Sequence, residues 1–349
     1  MSSNLLLLLL SFSGFTLVVG GFLRLRFRKQ IGYTSDNESV TVILPFRDEA
    51  MFLEPMLQRI NSTILQNGDR WMLVDDGSLQ IWTPKLPQNV SLIRLETQAE
   101  GSKKKALTEA ISRTNSSIVC TTDADVLNHA GWIHAMRNGF NSESKMVIGP
   151  VLMTSSSNSL VSKVAALESL ALLTVTLGST GINLPLMCSG ANLMFRRSAW
   201  NQVGGYAKHI DQPSGDDVLL MHDIWRKNRR SINAQISPEA LVKTSAPVSW
   251  KAFFTQRKRW ASKHGHLNHF GKIFLTLIIG CWLISPWFLL IFSWPILVAL
   301  LVAEFAWISW LTNFYTVQFN WLLWLPFRLF YPLLFLVLPF FPPGKWKPA

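Results

Sequence analysis

Hydrophobic positions are concentrated at the two ends of the chain, whereas the middle alternates short apolar runs with polar loops. Residues 4–23 are almost entirely apolar, and as a helix they are about as long as a bilayer is thick. Three more apolar segments, roughly 273–292, 295–311 and 321–341, follow near the other end. Segment 160–177 is apolar too, but a lysine and a glutamate interrupt it, which favours a buried or interface helix. The pattern predicts one N-terminal span and about three C-terminal spans.

Both groups of spans leave an alternative open. A cleaved signal peptide would also be apolar over residues 4–23, but no positive charge precedes this segment and no small-residue cleavage site is evident, so we expect a retained anchor. Four basic residues at positions 24–29 follow, and the positive-inside tendency places the next part of the chain in the cytoplasm. Only Ser293 and Trp294 separate the first two C-terminal segments, so these could form a re-entrant hairpin instead. Four complete crossings would place the two C-terminal lysines outside, against the same tendency.

Two charged residues, Glu304 and Arg328, lie inside the predicted C-terminal spans. A charge at such a position is costly unless it is paired or faces a polar cavity. We therefore expect the two side chains to pair across neighbouring helices.

The central block alternates apolar runs typical of buried strands with segments of helical spacing. Strands are predicted at 40–44, 71–74, 90–95 and 118–122, and helices at 51–65 and 103–114. This alternation predicts a mostly parallel sheet with helices on both faces. Polar or acidic loops follow three of the strands, at 45–49, 75–78 and 123–125. Because ligands of such sheets bind beyond the carboxyl ends of the strands, the three loops predict one shared site.

Composition narrows the class of partner. The chain has 349 residues, of which 49% are hydrophobic, and a formal net charge of +12. Such a charge suits nucleic acid, anionic lipid or a phosphorylated ligand. No nucleic-acid module is recognisable, and two of the basic clusters, at 24–29 and 251–263, adjoin predicted spans, so we expect membrane lipids rather than nucleic acid. Three widely spaced cysteines in apolar surroundings predict neither a disulfide framework nor a zinc site.

Two carboxylates, Asp123 and Asp125, stand one residue apart directly after a predicted strand. Mg²⁺ and Mn²⁺ prefer carboxylate and phosphate oxygens and commonly bridge one or two carboxylates to a diphosphate. A D-x-D triplet is also common in surface turns, so its weight comes from the motifs around it. These are Pro45-Phe46-Arg47-Asp48-Glu49, Asp75-Asp76-Gly77-Ser78, Gly215-Asp216-Asp217 and Gln256-Arg257-Lys258-Arg259-Trp260.

Taken in chain order, the motifs resemble the membrane-bound branch of glycosyltransferase family 2, which includes cellulose, chitin and hyaluronan synthases and the ceramide glucosyltransferases. The resemblance covers about residues 40–262 and rests on P-F-R-D-E, D-D-G-S, K-x-x-A-L, D-A-D, G-A-N-L-x-F-R-R, G-G-Y, G-D-D and Q-R-K-R-W. It implies a GT-A fold, which is a Rossmann-like α/β nucleotide-binding sheet with an acceptor-binding half. It also implies a nucleotide-sugar donor, a divalent metal and a single inverting displacement.

The resemblance assigns one set of residues to the donor: Pro45, Arg47, Glu49, Asp75, Asp76, Lys103, Asp123, Gln256 and Arg259. Asp75, with Asp76 in support, is expected to hold the base or ribose, an ordinary Asx-turn being the alternative. Lys103 is expected to meet the diphosphate at the positive end of a helix, although Lys104 and Lys105 compete for this role. Asp123 and Asp125 are the expected ligands of Mg²⁺ or Mn²⁺, with Asp125 the more direct one.

A second set of residues is assigned to the acceptor and the chemistry. Gly190, Asp216 and Trp260 are expected near the acceptor, although Asp216 stands where the family usually has glutamate. Asp217 is expected to be the catalytic base, because an acceptor hydroxyl is a poor nucleophile until its proton leaves. An N-cap is the other interpretation of Asp217, since a helix is predicted to begin at Val218, and both roles are compatible.

The sequence therefore predicts four parts: an anchor at 1–23, a cytosolic GT-A domain at 24–250, an interfacial amphipathic helix at 251–272 and transmembrane helices at 273–349. The expected function is inverting, metal-dependent transfer of a sugar from a UDP-sugar to a hydroxyl of a lipid or lipid-linked glycan. The expected location is the inner (plasma) membrane, with the active site facing the cytoplasm. A processive polysaccharide synthase is the alternative within the enzyme class. A non-catalytic membrane scaffold or export partner that keeps a degenerate nucleotide-sugar fold is the alternative outside it.

Overall fold

The computed structural model describes residues 3–27, 38–96, 102–155, 158–212, 215–261, 287, 290–291 and 294–337. Most of the predicted span 273–292 and the end of the span 321–341 lie outside these residues. The chain divides into two compact units. The helical unit comprises Met1–Arg26, Leu152–Leu186 and Ala246–Gly344, and the sheet unit comprises Phe27–Val151, Met187–Ser245 and Lys345–Ala349.

The described residues include the following helices and strands. The helices are α1 (Ser3–Phe27), α2 (Ala50–Ser62), α3 (Lys103–Arg113), α4 (Trp132–Arg137), α5 (Leu160–Gly181), α6 (Arg197–Val203), α7 (Val218–Lys227), α8 (Trp250–Ala261), α9 (Trp294–Phe314) and α10 (Trp321–Val337). The strands are β1 (Val40–Phe46), β2 (Arg70–Asp75), β3 (Val90–Arg94), β4 (Ile118–Thr121), β5 (Leu127–Asn128), β6 (Met146–Ile148), β7 (Val151–Thr154), β8 (Leu193–Arg196), β9 (Ile232–Ala234) and β10 (Val242–Ser245).

A seven-stranded sheet in the order β3-β2-β1-β4-β8-β6-β9 lies in the sheet unit. Every neighbouring pair is parallel except the two that involve β8, which runs antiparallel to both β4 and β6. The mostly parallel sheet is therefore confirmed, and the antiparallel β8 makes it a mixed one. All seven residues of β1 are buried, as its continuous apolar run predicts for a strand covered on both faces. β1 continues beyond its predicted end at Leu44, because Pro45 and Phe46 remain in register with β2.

The helices of the sheet unit follow the predicted spacing. The buried positions of α3 include Ala106, Leu107, Ala110 and Ile111, which recur at helical intervals on one face. Ser102 caps this helix, because its side chain accepts a hydrogen bond from the backbone N–H of Lys105. The cap makes Lys103 the first residue of the helix.

A buried ion pair holds the beginning of the sheet. Nη2 of Arg137 donates to both carboxylate oxygens of Asp69, at 2.8 and 2.7 Å, and Asp69 also accepts from the backbone N–H of Val40 at 2.8 Å. The pair joins the last residue of α4 to the residue before β2 and the first residue of β1. Because both charges are buried, each must be paired and hydrogen-bonded to be tolerated.

In the helical unit, α1 and α5 cross at a point where glycines let the two backbones touch. A Cβ atom at Gly178 would lie 2.1 Å from the carbonyl oxygen of Val18, and one at Gly181 would lie 2.0 Å from that of Gly21. Beside the crossing, the ring of Phe22 packs edge-on against Trp307, with the centroids 5.3 Å apart. Small residues allow such close crossings of apolar helices.

Glu304 and Arg328 pair as expected, across α9 and α10. Nε of Arg328 donates to Oε2 of Glu304 at 2.6 Å, and Nη2 donates to Oε1 at 3.1 Å. Both side chains are buried. The two-pronged contact matches the planar fork of arginine to the carboxylate, which compensates for the cost of burying both charges.

Two described helices, α5 and α9, are long and apolar enough to cross a membrane by length and composition. Helix α9 coincides with the predicted segment 295–311, and α1 contains the predicted segment 4–23. Helix α5 is also long and apolar enough to cross a membrane, although the lysine and glutamate within it favour a buried or interface helix.

We predict that Gly178→Ala lowers the stability of the helical unit, whereas Gly20→Ala does not. The added methyl group at Gly178 overlaps the backbone of α1, so the helices must separate, at a cost of about 1–3 kcal/mol. At Gly20 the same methyl group meets no atom within 4 Å. Thermal unfolding of the two purified variants in detergent provides the measurement. Equal melting temperatures would contradict the close crossing.

Candidate active site

The three loops expected to share a site do lie at one edge of the sheet. They follow β1, β2 and β4, which are neighbouring parallel strands, so their carboxyl ends point the same way. Backbone hydrogen bonds link the loops to the strands: Asp76 N–H donates to Phe46 O, and Thr122 N–H donates to Ile43 O. The edge belongs to the sheet unit.

Asp75 shapes the loop after β2. Its Oδ1 accepts from the backbone N–H of Ser78 at 2.8 Å, and its Oδ2 lies 3.4 Å from Nη1 of Arg94. Nη2 of Arg94 in turn donates to the carbonyl oxygen of Ser78 at 2.9 Å. Both carboxylate oxygens of Asp75 therefore have partners, one within the turn and one on Arg94 at the end of β3.

Asp76 differs from its neighbour, because its buried Oδ2 has no hydrogen-bond partner among the described residues. Burial disfavours the charged form and raises the pKa of Asp76, although the Ser102 backbone N–H and the charge of Arg47 act in the opposite direction. A buried oxygen without a partner is costly unless something donates to it. Asp76 is thus better placed than Asp75 to bind a ligand through this loop.

Lys103 brings together carboxylates from two distant segments. Its ammonium lies 2.6 Å from Oδ1 of Asp123 and 3.5 Å from Oδ2 of Asp216. Burial alone would lower the pKa of Lys103, but the charges of Asp123 and Asp216 outweigh burial and raise it above its usual range. The lysine therefore stays charged at neutral pH, in a cluster built from three expected site residues.

Asp217 and Gly190 complete this cluster. Oδ1 of Asp217 accepts from the N–H of Val218 at 2.7 Å, and Oδ2 accepts from the N–H of Gly190 at 3.1 Å. The first bond makes Asp217 the cap of α7, so this interpretation is confirmed. A Cβ atom at Gly190 would lie 3.1 Å from Oδ2 of Asp216 and 3.3 Å from Nζ of Lys103, so glycine leaves room there for both side chains.

Sequence reasoning missed the roles of Tyr206 and Lys104 at this edge. Tyr206 is buried, and its pKa is raised by burial and by the charges of Asp216 and Asp217. Lys104 is buried and donates to the backbone oxygens of His209 and Gln212, each at 2.7 Å, which fastens the segment that leads to Asp216. The signal for Tyr206 was a tyrosine directly after a Gly-Gly turn. Lys104 was missed because it stands between two other lysines, and the sequence does not show which of the three is buried.

The two carboxylates of Asp123 and Asp125 are of the type that binds a divalent cation whose remaining ligands are phosphate oxygens and water. The side chain of Asp123 is 35% exposed, and the charge of Asp125 acts on Arg59, whose Nη2 donates to the intervening Ala124 O at 2.7 Å. Among the described residues, His, Cys, Asp and Glu form no group of three or more that could hold a metal ion. Mg²⁺ needs only one or two protein carboxylates when phosphate oxygens and water complete its shell, so two suffice.

The remaining expected site residues belong to other segments of the sequence than the members of the lysine cluster. Pro45 ends β1 with Phe46, Arg47 lies 3.6 Å from the carboxylate of its neighbour Asp48, and Glu49 is buried before α2. Gln256, Arg259 and Trp260 all lie on α8 in the helical unit, and their assignment to donor and acceptor stays a prediction.

The family model described as "Glycosyl transferase family group 2" matches residues 118–340. A curated relative, the probable glycosyltransferase YdaM of Bacillus subtilis (strain 168), is 21% identical over an alignment of 261 residues that covers 70% of this chain. The chain spans 61% of the length of that relative. The mannosyltransferase PcManGT from Pyrobaculum calidifontis, solved in complex with GDP-Man and Mn²⁺, has a TM-score of 0.53 and 18% identity. The alignment covers 96% of this chain and 98% of that one, and it confirms the expected α/β fold of the GT-A type.

The family match extends over well over half of the chain, from β4 to the C-terminal helices. It includes Asp123, Gly190 and the Asp216–Asp217 pair, which the structure gathers at one sheet edge. The chain therefore belongs to glycosyl transferase family group 2, a family of glycosyltransferase enzymes.

Proposed function

We propose that the protein transfers a sugar from a nucleotide-sugar to a hydroxyl group of a lipid or lipid-linked glycan, with inversion and with help from a divalent cation. One observation carries the proposal: the partly buried ammonium of Lys103 holds Asp123 and Asp216 together beside Asp217 at the carboxyl edge of the sheet. In such a cluster the ammonium can bind a phosphate, one carboxylate can bind a metal ion, and another can accept a proton.

On the donor side, Lys103 and Asp76 would make the first contacts. The charged ammonium at the first turn of α3 suits a diphosphate, because the helix end adds its own positive potential. The buried Oδ2 of Asp76 suits an N–H or O–H donor of the base or ribose. Bound Mg²⁺ or Mn²⁺, held by Asp123 and Asp125, would supply charge neutralisation for the leaving diphosphate.

On the acceptor side, Asp217 would be the base. Its two backbone hydrogen bonds fix the carboxylate in one orientation, and a carboxylate is the kind of group that can accept the proton of an acceptor hydroxyl. Gly190 donates one of these bonds and also leaves space beside Asp216 and Lys103. The same geometry thus serves helix capping and proton removal.

The helical unit supports a membrane location with a lipid acceptor. Large apolar side chains are exposed along α9 and α10, namely Val298, Val302, Phe305, Trp310, Leu322, Leu325, Phe330 and Leu333. Soluble proteins rarely expose so many in one region, whereas a bilayer would cover them. We place the active site on the cytosolic face of the plasma membrane, because the basic residues at positions 24–29 end α1 and follow it, and the positive-inside tendency puts them in the cytoplasm. The Q-R-K-R-W motif of α8 keeps a processive synthase as the second candidate.

We predict that the purified protein releases a nucleoside diphosphate from a nucleotide-sugar when Mn²⁺ or Mg²⁺ is present. UDP-sugars are tested because the resemblance favours them, and GDP-mannose is tested because PcManGT was solved with it. Release should stop when EDTA removes the cation, and mass analysis of the lipid products separates a single addition from a polymer. Absence of release from every donor would favour the non-catalytic scaffold.

We predict that Asp217→Asn lowers kcat by at least about a hundredfold, because an amide cannot accept the acceptor proton. The dissociation constant for UDP or GDP should stay within about twofold, since the amide oxygen can still accept from Gly190. The matched control is Asp211→Asn, an exposed aspartate earlier in the chain. Wild-type turnover by Asp217→Asn would rule out the base assignment.

We predict that substitution of Asp76 lowers nucleotide affinity, whereas substitution of Asp75 lowers the stability of the protein. Asp76→Asn should weaken binding of UDP or GDP roughly tenfold while the protein stays folded, because the amide keeps an oxygen for the Ser102 N–H and replaces the oxygen that has no described partner. Asp75→Ala should instead lower the free energy of unfolding by about 1–3 kcal/mol, because the turn and Arg94 lose their partner. Calorimetric titration and thermal unfolding distinguish the two, and a reversed pattern would restore the base-binding role to Asp75.

A further inference from the structure

Asn192 carries a completely buried amide to which the donor and acceptor assignments give no task. Its Nδ2 donates to the carbonyl oxygens of Pro150 and Ala240, each at 2.8 Å. Its Oδ1 accepts from Nε1 of Trp132 at 2.9 Å. Both amide hydrogens and the oxygen are therefore engaged, and their partners come from three segments that are far apart in the chain. A buried polar group that is satisfied in this way specifies a single orientation of its side chain.

A glycine between β6 and β7 makes this arrangement possible. A Cβ atom at Gly149 would lie 2.2 Å from Nδ2 and 2.5 Å from Oδ1 of Asn192. The backbone N–H of Gly149 also donates to the carbonyl oxygen of Asn192 at 3.0 Å. Any side chain at position 149 would therefore push the amide of Asn192 away from its partners.

Asn192 ends a three-residue 3-10 turn, Gly190–Asn192, that leads into β8. Its backbone N–H donates to the carbonyl oxygen of Ser189 at 3.1 Å, and Oγ of Ser189 accepts from the N–H of Ala191 at 3.3 Å. These bonds close the turn, and the amide of Asn192 attaches the end of the turn to the rest of the sheet unit. Because one residue separates Gly190 from Asn192, and each residue has only two soft backbone torsions, fixing Asn192 restricts the direction of the Gly190 N–H.

The N–H of Gly190 is directed at the candidate base. It donates to Oδ2 of Asp217 at 3.1 Å, whereas Oδ1 accepts from the N–H of Val218 at the start of α7. The bond from Val218 is local to α7, so the bond from Gly190 is the one that relates the carboxylate to the turn. A Cβ atom at Gly190 would lie 3.1 Å from Oδ2 of Asp216 and 3.3 Å from Nζ of Lys103, so the turn also approaches the other charges of the cluster. All of these residues belong to the sheet unit.

We infer that Asn192 is a positioning residue: its buried amide holds the turn Gly190–Asn192 so that the Gly190 N–H keeps the carboxylate of Asp217 in the orientation for proton removal. The inference rests on the proposed function, because Asp217 removes a proton only if the protein transfers a sugar to a hydroxyl. It gives Asn192 a task that involves no contact with a substrate.

Asn192→Ser is the informative variant, because a serine is too short and has too few donors to bridge Pro150, Ala240 and Trp132. We expect kcat to fall at least about tenfold, since a small displacement of a catalytic group is enough for such a loss. The dissociation constant for UDP or GDP should stay within about twofold. Release of nucleoside diphosphate from the donor that the wild-type protein uses gives kcat, and calorimetric titration in MnCl₂ gives the affinity.

Gly149→Ala displaces the amide of Asn192 without changing the residue itself, and it should lower kcat in the same way. Its matched control is Gly131→Ala, which should leave kcat within about twofold. A Cβ atom at Gly131 would meet no atom closer than 3.5 Å, which is an ordinary contact. Equal kcat values for Gly149→Ala and Gly131→Ala would contradict the inference.

Gln235→Met separates orientation of Asp217 from a general loss of stability. The amide of Gln235 is also buried: Nε2 donates to Ala135 O at 2.6 Å, and Oε1 accepts from the N–H groups of Ile236 and Ser237. These bonds reach α4 and the next two residues rather than the turn. Gln235→Met should therefore lower the melting temperature, as Asn192→Ser does, while its kcat stays within about twofold of the wild-type value.

A double variant tests whether Asn192 acts through Asp217. Once Asp217→Asn has removed the base, orientation of the side chain at position 217 matters little for turnover. Adding Asn192→Ser to Asp217→Asn should then lower kcat by less than about twofold. A further fall as large as the one that Asn192→Ser causes alone would contradict action through Asp217.

Hydrogen exchange tests the structural part without any substrate. In the purified protein, the peptide that contains the Gly190 amide should exchange at least about tenfold faster in Asn192→Ser and Gly149→Ala, because its bond to Asp217 is weakened. The same peptide should exchange at the wild-type rate in Gln235→Met. Unchanged exchange in both turn variants would overturn the inference.

The proposed function and the inference fail in different ways. A wild-type protein that releases no nucleoside diphosphate from any donor contradicts the proposed function, and the task of Asn192 in proton removal with it. A wild-type protein that releases one, with Asn192→Ser and Gln235→Met equally active, overturns the inference alone.

Discussion

The ammonium of Lys103 is the contact on which the candidate site depends. It lies within 3.5 Å of two carboxylates that the chain supplies from well-separated loops, one after β4 and one before α7. Without that charge, Asp123, Asp216 and Asp217 would gather negative charge at one sheet edge and repel each other. The cap of α3 places Lys103 at the first turn, and Lys104 fastens the loop that carries Asp216. The short segment 102–104 therefore determines both where the cluster forms and the positive charge that holds it together.

Buried charges recur at structural junctions of both units. The pair of Asp69 and Arg137 joins α4 to the start of the sheet, and the pair of Glu304 and Arg328 joins α9 to α10. Glu168 accepts from α8 and α10 together. Each carboxylate meets an arginine, whose planar fork satisfies several acceptor sites at once. Such pairs contribute little net stability compared with apolar packing, but breaking one leaves an uncompensated charge, so they favour one arrangement of the helices.

Regular patterns in the sequence predicted much of the fold. The continuous apolar run of β1 and the helical spacing of α3 reflect burial that is repeated over many residues, so the strand and the helix were predicted within a few positions. The antiparallel β8 was not predicted, because strand direction depends on how the chain returns to the sheet. Among the site residues, the strand-end loops were predicted to converge, since parallel neighbours share an edge. Their individual tasks were less accessible, as Asp75 and Asp76 show: adjacent in sequence, one is engaged in a turn and the other keeps a buried oxygen without a described partner.

By itself the sequence determined the residue types, their order and the apolar periodicity, and these were sufficient for the family, the α/β sheet and the edge that carries the site. Only the tertiary structure decided which of three consecutive lysines enters the carboxylate cluster, and that Arg257 turns to Glu168. The physical reason is that side-chain direction and burial are set by packing between segments far apart in the chain. Local pattern places a residue on an element, whereas the partners that neutralise its charge come from elsewhere.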